Sequence, residues 1–296
     1  MKKVVFTGAA VALVTPMNQD GSVNYTKLEE LVEFQIQNGT DAIVACGTTG
    51  ESATLDIDEH IEVIKKTVEF AKGRVPVIAG TGSNDTAFAV KTAVLAEQTG
   101  ADAMLVVTPY YNKTSQAGLI AHFTAIANST TLPVILYNVP SRTGTNIKPE
   151  TYKELSKIEN IVATKEASGD ISAVAQIAHL CGEDLNIYSG NDDQIVPIMS
   201  LGGLGVISVL SNVVPQETHN ICQYALDGDF KKASELQLKY LPLVDALFSD
   251  VNPIPVKEAL NIMGHDVGEC RLPLIRMSEP ARKALEAEMA KVGLTK

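Results

Sequence analysis

Short apolar, β-branched runs recur along the chain, their starts about 20 to 35 residues apart. They are Val11–Val14, Ala42–Cys46, Val77–Gly80, Met104–Val107, Val134–Tyr137, Ile161–Lys165, Leu185–Ser189 and Gly205–Val209. Between most of them the apolar residues return every three or four positions, as in Tyr25–Gln37, Ile57–Ala71, Thr86–Gln98 and Gln116–Ala127. That period gathers apolar side chains on one helix face. The short runs are nearly continuous in apolar character, as a strand covered by helices requires. Eight strands alternating with helices predict an α/β fold, a (β/α)8 TIM barrel. A doubly wound open sheet is the alternative, but eight near-equal units favour closure.

The helix ends agree with this plan. Asn38-Gly39, Lys72-Gly73 and Thr99-Gly100 each supply a glycine able to take the left-handed backbone that stops a helix. Beyond the eighth run, Pro215 opens a polar, helical region that Asp227-Gly228-Asp229 and Asn252-Pro253 divide into three helices. It is too long to be the last barrel helix alone. The expected organisation is a barrel over residues 1–224 and a C-terminal helical extension over 225–296.

Composition narrows the partners. The chain of 296 residues carries 24 Lys and Arg against 35 Asp and Glu, a formal charge of −11. That argues against a nucleic-acid backbone or an anionic membrane as partner, though one focused cation can still attract a small anion. Tryptophan is absent and aromatics are 5 %, so the core must be aliphatic. The start combines two lysines with an apolar stretch, but no small-x-small cleavage site ends it, and it reads as a first strand. No later stretch is long and apolar enough for a membrane span. Cys46, Cys181, Cys222 and Cys270 are scattered without a CxxC, and His60, His122, His179, His219 and His265 form no HExxH. No metal is expected, and the chain reads as reduced and cytoplasmic.

Chemistry in such barrels sits at the C-terminal strand ends. There the sequence reads Gly47-Thr48-Thr49-Gly50-Glu51, Thr108-Pro109-Tyr110-Tyr111, Tyr137 through Gly144, Lys165-Glu166 and Ser189-Gly190-Asn191-Asp192-Asp193. The opposite ends are plainer. Lys165 ends an apolar run, which leaves two readings. One is a capping ion pair. The other is a nucleophilic amine whose pKa is lowered by desolvation, able to form an imine with a ketone or aldehyde. Tyr137, on the neighbouring strand, is either a packing residue or a proton shuttle. Thr48 and Thr49 are loop hydroxyls with capping as the default, beside glycines that free backbone amides for a carboxylate. Tyr111 is either a surface aromatic or a group leaning over the mouth. Arg142 is either solvated or a bidentate carboxylate clamp. Glu166 is expected to face away from Lys165, and Asp192 and Asp193 to start the next helix. The glycines match no nucleotide fingerprint.

Taken in order, GTTGE at 47–51, TPYYNK at 108–113, YNVPSRTG at 137–144 and TKEASGD at 164–170 resemble the dihydrodipicolinate synthase and N-acetylneuraminate lyase family of pyruvate-dependent class I aldolases. The resemblance covers essentially the whole chain. It implies a Schiff base between Lys165 and pyruvate, with no separate cofactor. It implies a proton relay of Tyr137, Thr49 and Tyr111, the last reaching in from a partner subunit. Thr48 and Thr49 would hold the pyruvate carboxylate, Arg142 the carboxylate of L-aspartate 4-semialdehyde, and Gly190 and Ile207 would line the pocket with main chain. The implied product is 4-hydroxy-tetrahydrodipicolinate, on the route to diaminopimelate and lysine. The implied assembly is a homotetramer, a dimer of tight dimers. The lyases of the family lack the arginine of SRTG, so Arg142 favours the synthase over an aldolase of keto-sugar acids. A non-enzymatic small-acid binding protein is the third possibility, but it would gain nothing from an imine-forming amine.

Some family members bind lysine as a feedback inhibitor. The matching positions are Ser52, Ala53, Ile57, His60, Asn84, Phe88 and Tyr110. Ile57 stands where inhibited enzymes have histidine, and Phe88 where they have the glutamate that meets the lysine ammonium. Weak or absent lysine inhibition is expected.

Overall fold

The computed structural model describes residues 2–295. Eight parallel strands close into a barrel in chain order. They are β1 (Gly8–Ala12), β2 (Ala42–Ala45), β3 (Val77–Gly80), β4 (Ala103–Val107), β5 (Val134–Asn138), β6 (Ile161–Glu166), β7 (Asn186–Ser189) and β8 (Gly205–Ser208). The helices around them are α1 (Tyr25–Gln37), α2 (Ile57–Ala71), α3 (Thr86–Glu97), α4 (Gln116–Ala127), α5 (Pro140–Thr143), α6 (Pro149–Leu155), α7 (Ile171–Cys181), α8 (Ile195–Ser200) and α9 (Pro215–Leu226). Then follow α10 (Phe230–Leu247), α11 (Ile254–Ile262) and α12 (Glu279–Lys291).

The barrel seam explains where the first strand begins. The apolar run suggested Val11–Val14, but β1 pairs with β8 from Gly8↔Gly205 to Val11↔Ser208. The pairing partner, and not local hydrophobicity, sets the start. Gly205 has φ +153°, and a Cβ there would run into the Gly8 carbonyl oxygen, so the seam closes only with glycine.

Side-chain alternation sorts the core into two shells. Ala10, Ala12, Ala42, Ala103 and Ala163 point into the barrel with Ile78, Ile135, Tyr188 and Ile207. Small and large residues together fill the interior, so the barrel is packed and not a pore. Phe6 stacks on Tyr188 with ring centres 4.3 Å apart, and Tyr188 donates its hydroxyl proton to the Phe6 carbonyl at 2.7 Å. The larger outer shell, including Ile43, Ile64, Met104, Phe123 and Leu136, lies between strands and helices.

Caps fix where helices begin. Asn24 accepts from the Lys27 amide, Ser115 from Gly118 and Asp170 from Ala173. Asp56 and Glu59 form a reciprocal capping box on α2. The expected exits at Gly39, Gly73 and Gly100 all have positive φ. Pro215 opens α9, whose Ile221, Cys222 and Ala225 pack against Ala9 of β1 and Val206 of β8, so this helix completes the barrel layer. After it the chain breaks at the two expected places and once more between Met263 and Met277. Among the described residues, four α-helices, not three, follow the eighth strand. Among the described residues, no helix is long and apolar enough to cross a membrane.

Candidate active site

The β5–β6 ladder sets the centre of the site. Tyr137 pairs with Lys165, and Lys165 with Tyr188 of β7. Neighbours across a ladder share a face, so Tyr137, Lys165 and Tyr188 all point into the barrel. The Lys165 Nζ lies 4.3 Å from the centre of the Tyr137 ring. Only 6 % of Lys165 is exposed. Desolvation lowers its pKa to about 8; Asp192 opposes that shift and Arg142 adds to it. At neutral pH a pKa near 8 leaves roughly a tenth of the amine neutral, against well under a thousandth for an ordinary lysine. The capping-ion-pair reading finds no support, because no carboxylate lies within salt-bridge distance among the described residues. Asp192 acts on the amine only as a nearby charge.

Glu166 turns to the other side of β6, as expected. It accepts from the Tyr152 hydroxyl at 2.8 Å, from Asn138 Nδ2 at 3.1 Å and from the Ser168 amide at 2.8 Å. These bonds anchor the end of β6 to α6 and the following loop, and burial raises the Glu166 pKa. Gly190, just after β7, presses on Lys165: a Cβ at this position would lie 2.7 Å from Ala167 Cβ and 3.1 Å from Lys165 Cε. Any side chain at 190 would displace the amine's stem. Ile207 is buried in the inner barrel shell with Tyr137 and Ala167.

Tyr137 is buried, which raises its pKa; Arg142 and the Thr48 side chain pull in the opposite direction. The Thr48 side chain thus acts on this phenol. The Thr49 hydroxyl, expected in the relay, accepts from Asn252 Nδ2 at 3.0 Å, which leaves its own proton free to donate elsewhere. Arg142, on the one-turn helix α5, is exposed and donates from Nη2 to the Asn252 carbonyl at 3.4 Å. Tyr111 stands apart: it is 91 % exposed at φ +67°, and within a single chain its phenol faces solvent.

A cavity of about 440 Å3 borders Thr48, Arg142 and Asn252. Its wall runs from Thr48, Arg142 and Asn252 to Ser52, Ala53, Ile57, His60, Phe88 and Tyr110. Six of the seven expected effector positions thus share one cavity with Thr48 and Arg142, while Lys165 and Tyr137 are not in its wall. Asn84 is not among the lining residues, and its carbonyl accepts from Asn112 Nδ2 at 2.9 Å. His60 donates Nε2–H to the Gly80 carbonyl at 2.6 Å, and burial lowers its pKa, so it brings no charge. Phe88 is 44 % exposed. Among the described residues, no group of three or more His, Cys, Asp or Glu is placed to hold a metal.

Two contributors were not foreseen. Asp192 does head a short helical turn, Asp192–Gln194, but its buried carboxylate also accepts from the Val209 and Leu210 amides at 3.0 and 2.9 Å. It ties β7 to the end of β8 and places a negative charge near Lys165. In the sequence Asn252 stands out only as a helix break before Pro253. Its role depends on contact with Thr49, 203 residues earlier, and no local pattern encodes that.

The model of the dihydrodipicolinate synthetase family matches residues 5–292. The chain belongs to this family. It is 60 % identical to the 4-hydroxy-tetrahydrodipicolinate synthase of Lachnoclostridium phytofermentans over 98 % of this chain and 99 % of that protein. Among solved structures, it is similar to the chloride-inhibited dihydrodipicolinate synthase of Acinetobacter baumannii in complex with pyruvate. That match has TM-score 0.96 and 43 % identity, covering 98 % of this chain and 100 % of the other. It is also similar to the lysine-bound enzyme of Cyanidioschyzon merolae, with TM-score 0.96 and 41 % identity over 99 % and 100 % of the two chains. The family is one of pyruvate-dependent class I aldolases, and this chain carries a buried amine, Lys165, at the end of β6.

Proposed function

We propose that this chain joins pyruvate to L-aspartate 4-semialdehyde through an imine on Lys165, as a 4-hydroxy-tetrahydrodipicolinate synthase. The observation that carries the reading is the Lys165 amine, buried at a strand end with its pKa drawn to about 8 and Tyr137 beside it. The names of the relatives support the substrates.

The neutral amine attacks the ketone carbon of pyruvate, and loss of water leaves a protonated imine. The imine then draws a proton from the methyl carbon, giving an enamine. Tyr137 and the Thr48 hydroxyl next to it are the groups on hand to move these protons. Thr49 and the amides of the 47–51 loop face the pyruvate carboxylate. The enamine carbon bonds to the aldehyde carbon, whose oxygen takes up a proton. Arg142 holds the carboxylate of the semialdehyde by charge-assisted hydrogen bonds. The product's own amine then attacks the imine carbon, closing the ring and returning Lys165 as the free amine. One water is released overall.

Tyr111 completes the relay from a second subunit. A tyrosine 91 % exposed on a left-handed backbone is a poor surface residue for a monomer and a good one for an interface. We infer a tight dimer on this ground, and the family resemblance extends it to a homotetramer.

Borohydride reduction in the presence of pyruvate tests the reading. A stable pyruvyl adduct mapped to Lys165 by mass spectrometry is expected, together with turnover when the semialdehyde is added. Folded protein that gives no adduct would sink it.

A further inference from the structure

Asn252 belongs to the segment between α10 and α11, in the part of the chain expected to be a helical appendage. It is buried, and it makes two contacts that converge on the site. Its Nδ2 donates to Thr49 Oγ1 at 3.0 Å, and its main-chain carbonyl accepts from Arg142 Nη2 at 3.4 Å. Its own Oδ1 is buried without a hydrogen-bond partner, so the side chain is held for what its amide donates. The two residues it touches are those assigned to different substrates.

A threonine hydroxyl has one proton and two acceptor lone pairs. If a neighbour donates into the oxygen, that oxygen needs no proton on the same side, and its own proton is free to point elsewhere. An anion is recognised only by the proton side. The direction of the Thr49 hydroxyl therefore decides whether it attracts or repels a carboxylate.

We propose that Asn252 is a positioning residue for this site: by donating to Thr49 it turns the Thr49 hydroxyl proton toward the pyruvate carboxylate, and its carbonyl anchors Arg142 to the same point. The C-terminal region thereby helps build the pocket as well as covering the barrel. The inference rests on the reading of the site as a pyruvate site.

The test is borohydride trapping across a range of pyruvate concentrations, without aldehyde, on the full-length protein. Asn252→Asp is nearly the same size but cannot donate when ionised, so it takes the Thr49 proton and turns the oxygen lone pairs on the pyruvate. The pyruvate concentration for half-maximal trapping should rise about tenfold or more, the worth of one hydrogen bond to a charged group. Asn252→Ala leaves the hydroxyl free to rotate and should raise it about threefold, a fraction of that bond. This order, Asp worse than Ala, is the reverse of what a packing role gives. Should Asn252→Asp fail to fold, the pair Thr49→Val and Asn252→Ala decides the matter. In a Thr49→Val background, adding Asn252→Ala should weaken pyruvate binding no further, whereas effects that multiply overturn the proposal. Equal trapping by wild type and Asn252→Asp, or a larger loss in Ala than in Asp, also overturns it. Wild-type protein without an adduct overturns the reading of the site and this proposal with it; wild type with an adduct and indifferent variants overturn this proposal alone.

Discussion

Lys165 and Tyr137 face each other across one rung of the barrel, amine to ring centre 4.3 Å. The ring shields the amine from water on one side, and the barrel wall does so on the others. The same burial that keeps a useful fraction of the amine neutral makes its charged form costly. Reactivity and instability at this position have one cause.

Replacing Lys165 by Met should therefore abolish adduct formation and stabilise the fold. Burial takes the Lys165 pKa from 10.5 to about 8, so the unfolded chain holds this proton more tightly than the native one. Below the native pKa both states are charged, and the native state carries the full penalty, about 3 kcal/mol for a shift of this size. The penalty fades as pH rises from 8 towards 10.5 and the native amine loses its proton first. Urea denaturation at pH 7 should show Lys165→Met more stable than wild type, with the gap narrowing above pH 8. The rate of imine formation by wild type should climb with pH and level off near 8. A variant less stable than wild type at pH 7 would contradict the cause given for the shift.

Arg142 is exposed, so its removal should leave stability nearly unchanged. Arg142→Ala should still form the pyruvate adduct on Lys165. Its kcat/KM for the semialdehyde should fall roughly a hundredfold, the loss expected for a charge-assisted contact to a carboxylate. Steady-state kinetics with each substrate varied in turn separates the two effects. Full activity on the semialdehyde, or turnover of a keto-sugar acid unaffected by the substitution, would favour the aldolase alternative.

The strand ladder and the bearing of Lys165 were legible in the sequence because both follow from local pattern. An apolar run that ends in lysine at the sixth of eight strands can face only the mouth or the helix layer. Period two then puts Glu166 opposite, where Tyr152 and Asn138 receive it. Three things were hidden. The start of β1 depends on the Gly8–Gly205 seam, which brings together the two ends of the barrel. That Thr48 acts on Tyr137 while Thr49 accepts from Asn252 depends on tertiary neighbours, which the two identical side chains cannot reveal. The part played by Asn252 depends on a contact across most of the chain.

Lysine should inhibit weakly or not at all. Ile57 and Phe88 line the expected effector pocket, and neither carries a charge to pair with an ammonium. Glu51 also borders that cavity, but its carboxylate is already held by Lys257 and the Arg271 amide. A lysine ammonium entering here would lose its hydration without gaining a paired charge. Initial rates should stay unchanged with lysine in the millimolar range, and inhibition at sub-millimolar lysine would refute this.

The Glu51–Lys257 pair gives a last prediction, about the loop that carries Thr48 and Thr49. Both side chains are 2 % exposed and their charged atoms are 2.8 Å apart. Lys257 also donates to the Thr15 and Glu269 carbonyls, and Glu51 sits at φ +56° at the end of the GTTGE turn. The pair thus clamps the substrate loop to α11 and to the chain after it. Lys257→Met leaves the Glu51 carboxylate buried without its partner, which costs about 3–5 kcal/mol. Replacing both, as Glu51→Gln with Lys257→Met, removes the uncompensated charge and should recover much of that stability. The same double variant should still show a weaker grip on pyruvate, because the clamp on the loop is lost. Thermal unfolding and trapping at graded pyruvate measure the two effects separately. A single variant as stable as wild type would show that the pair does not hold the loop.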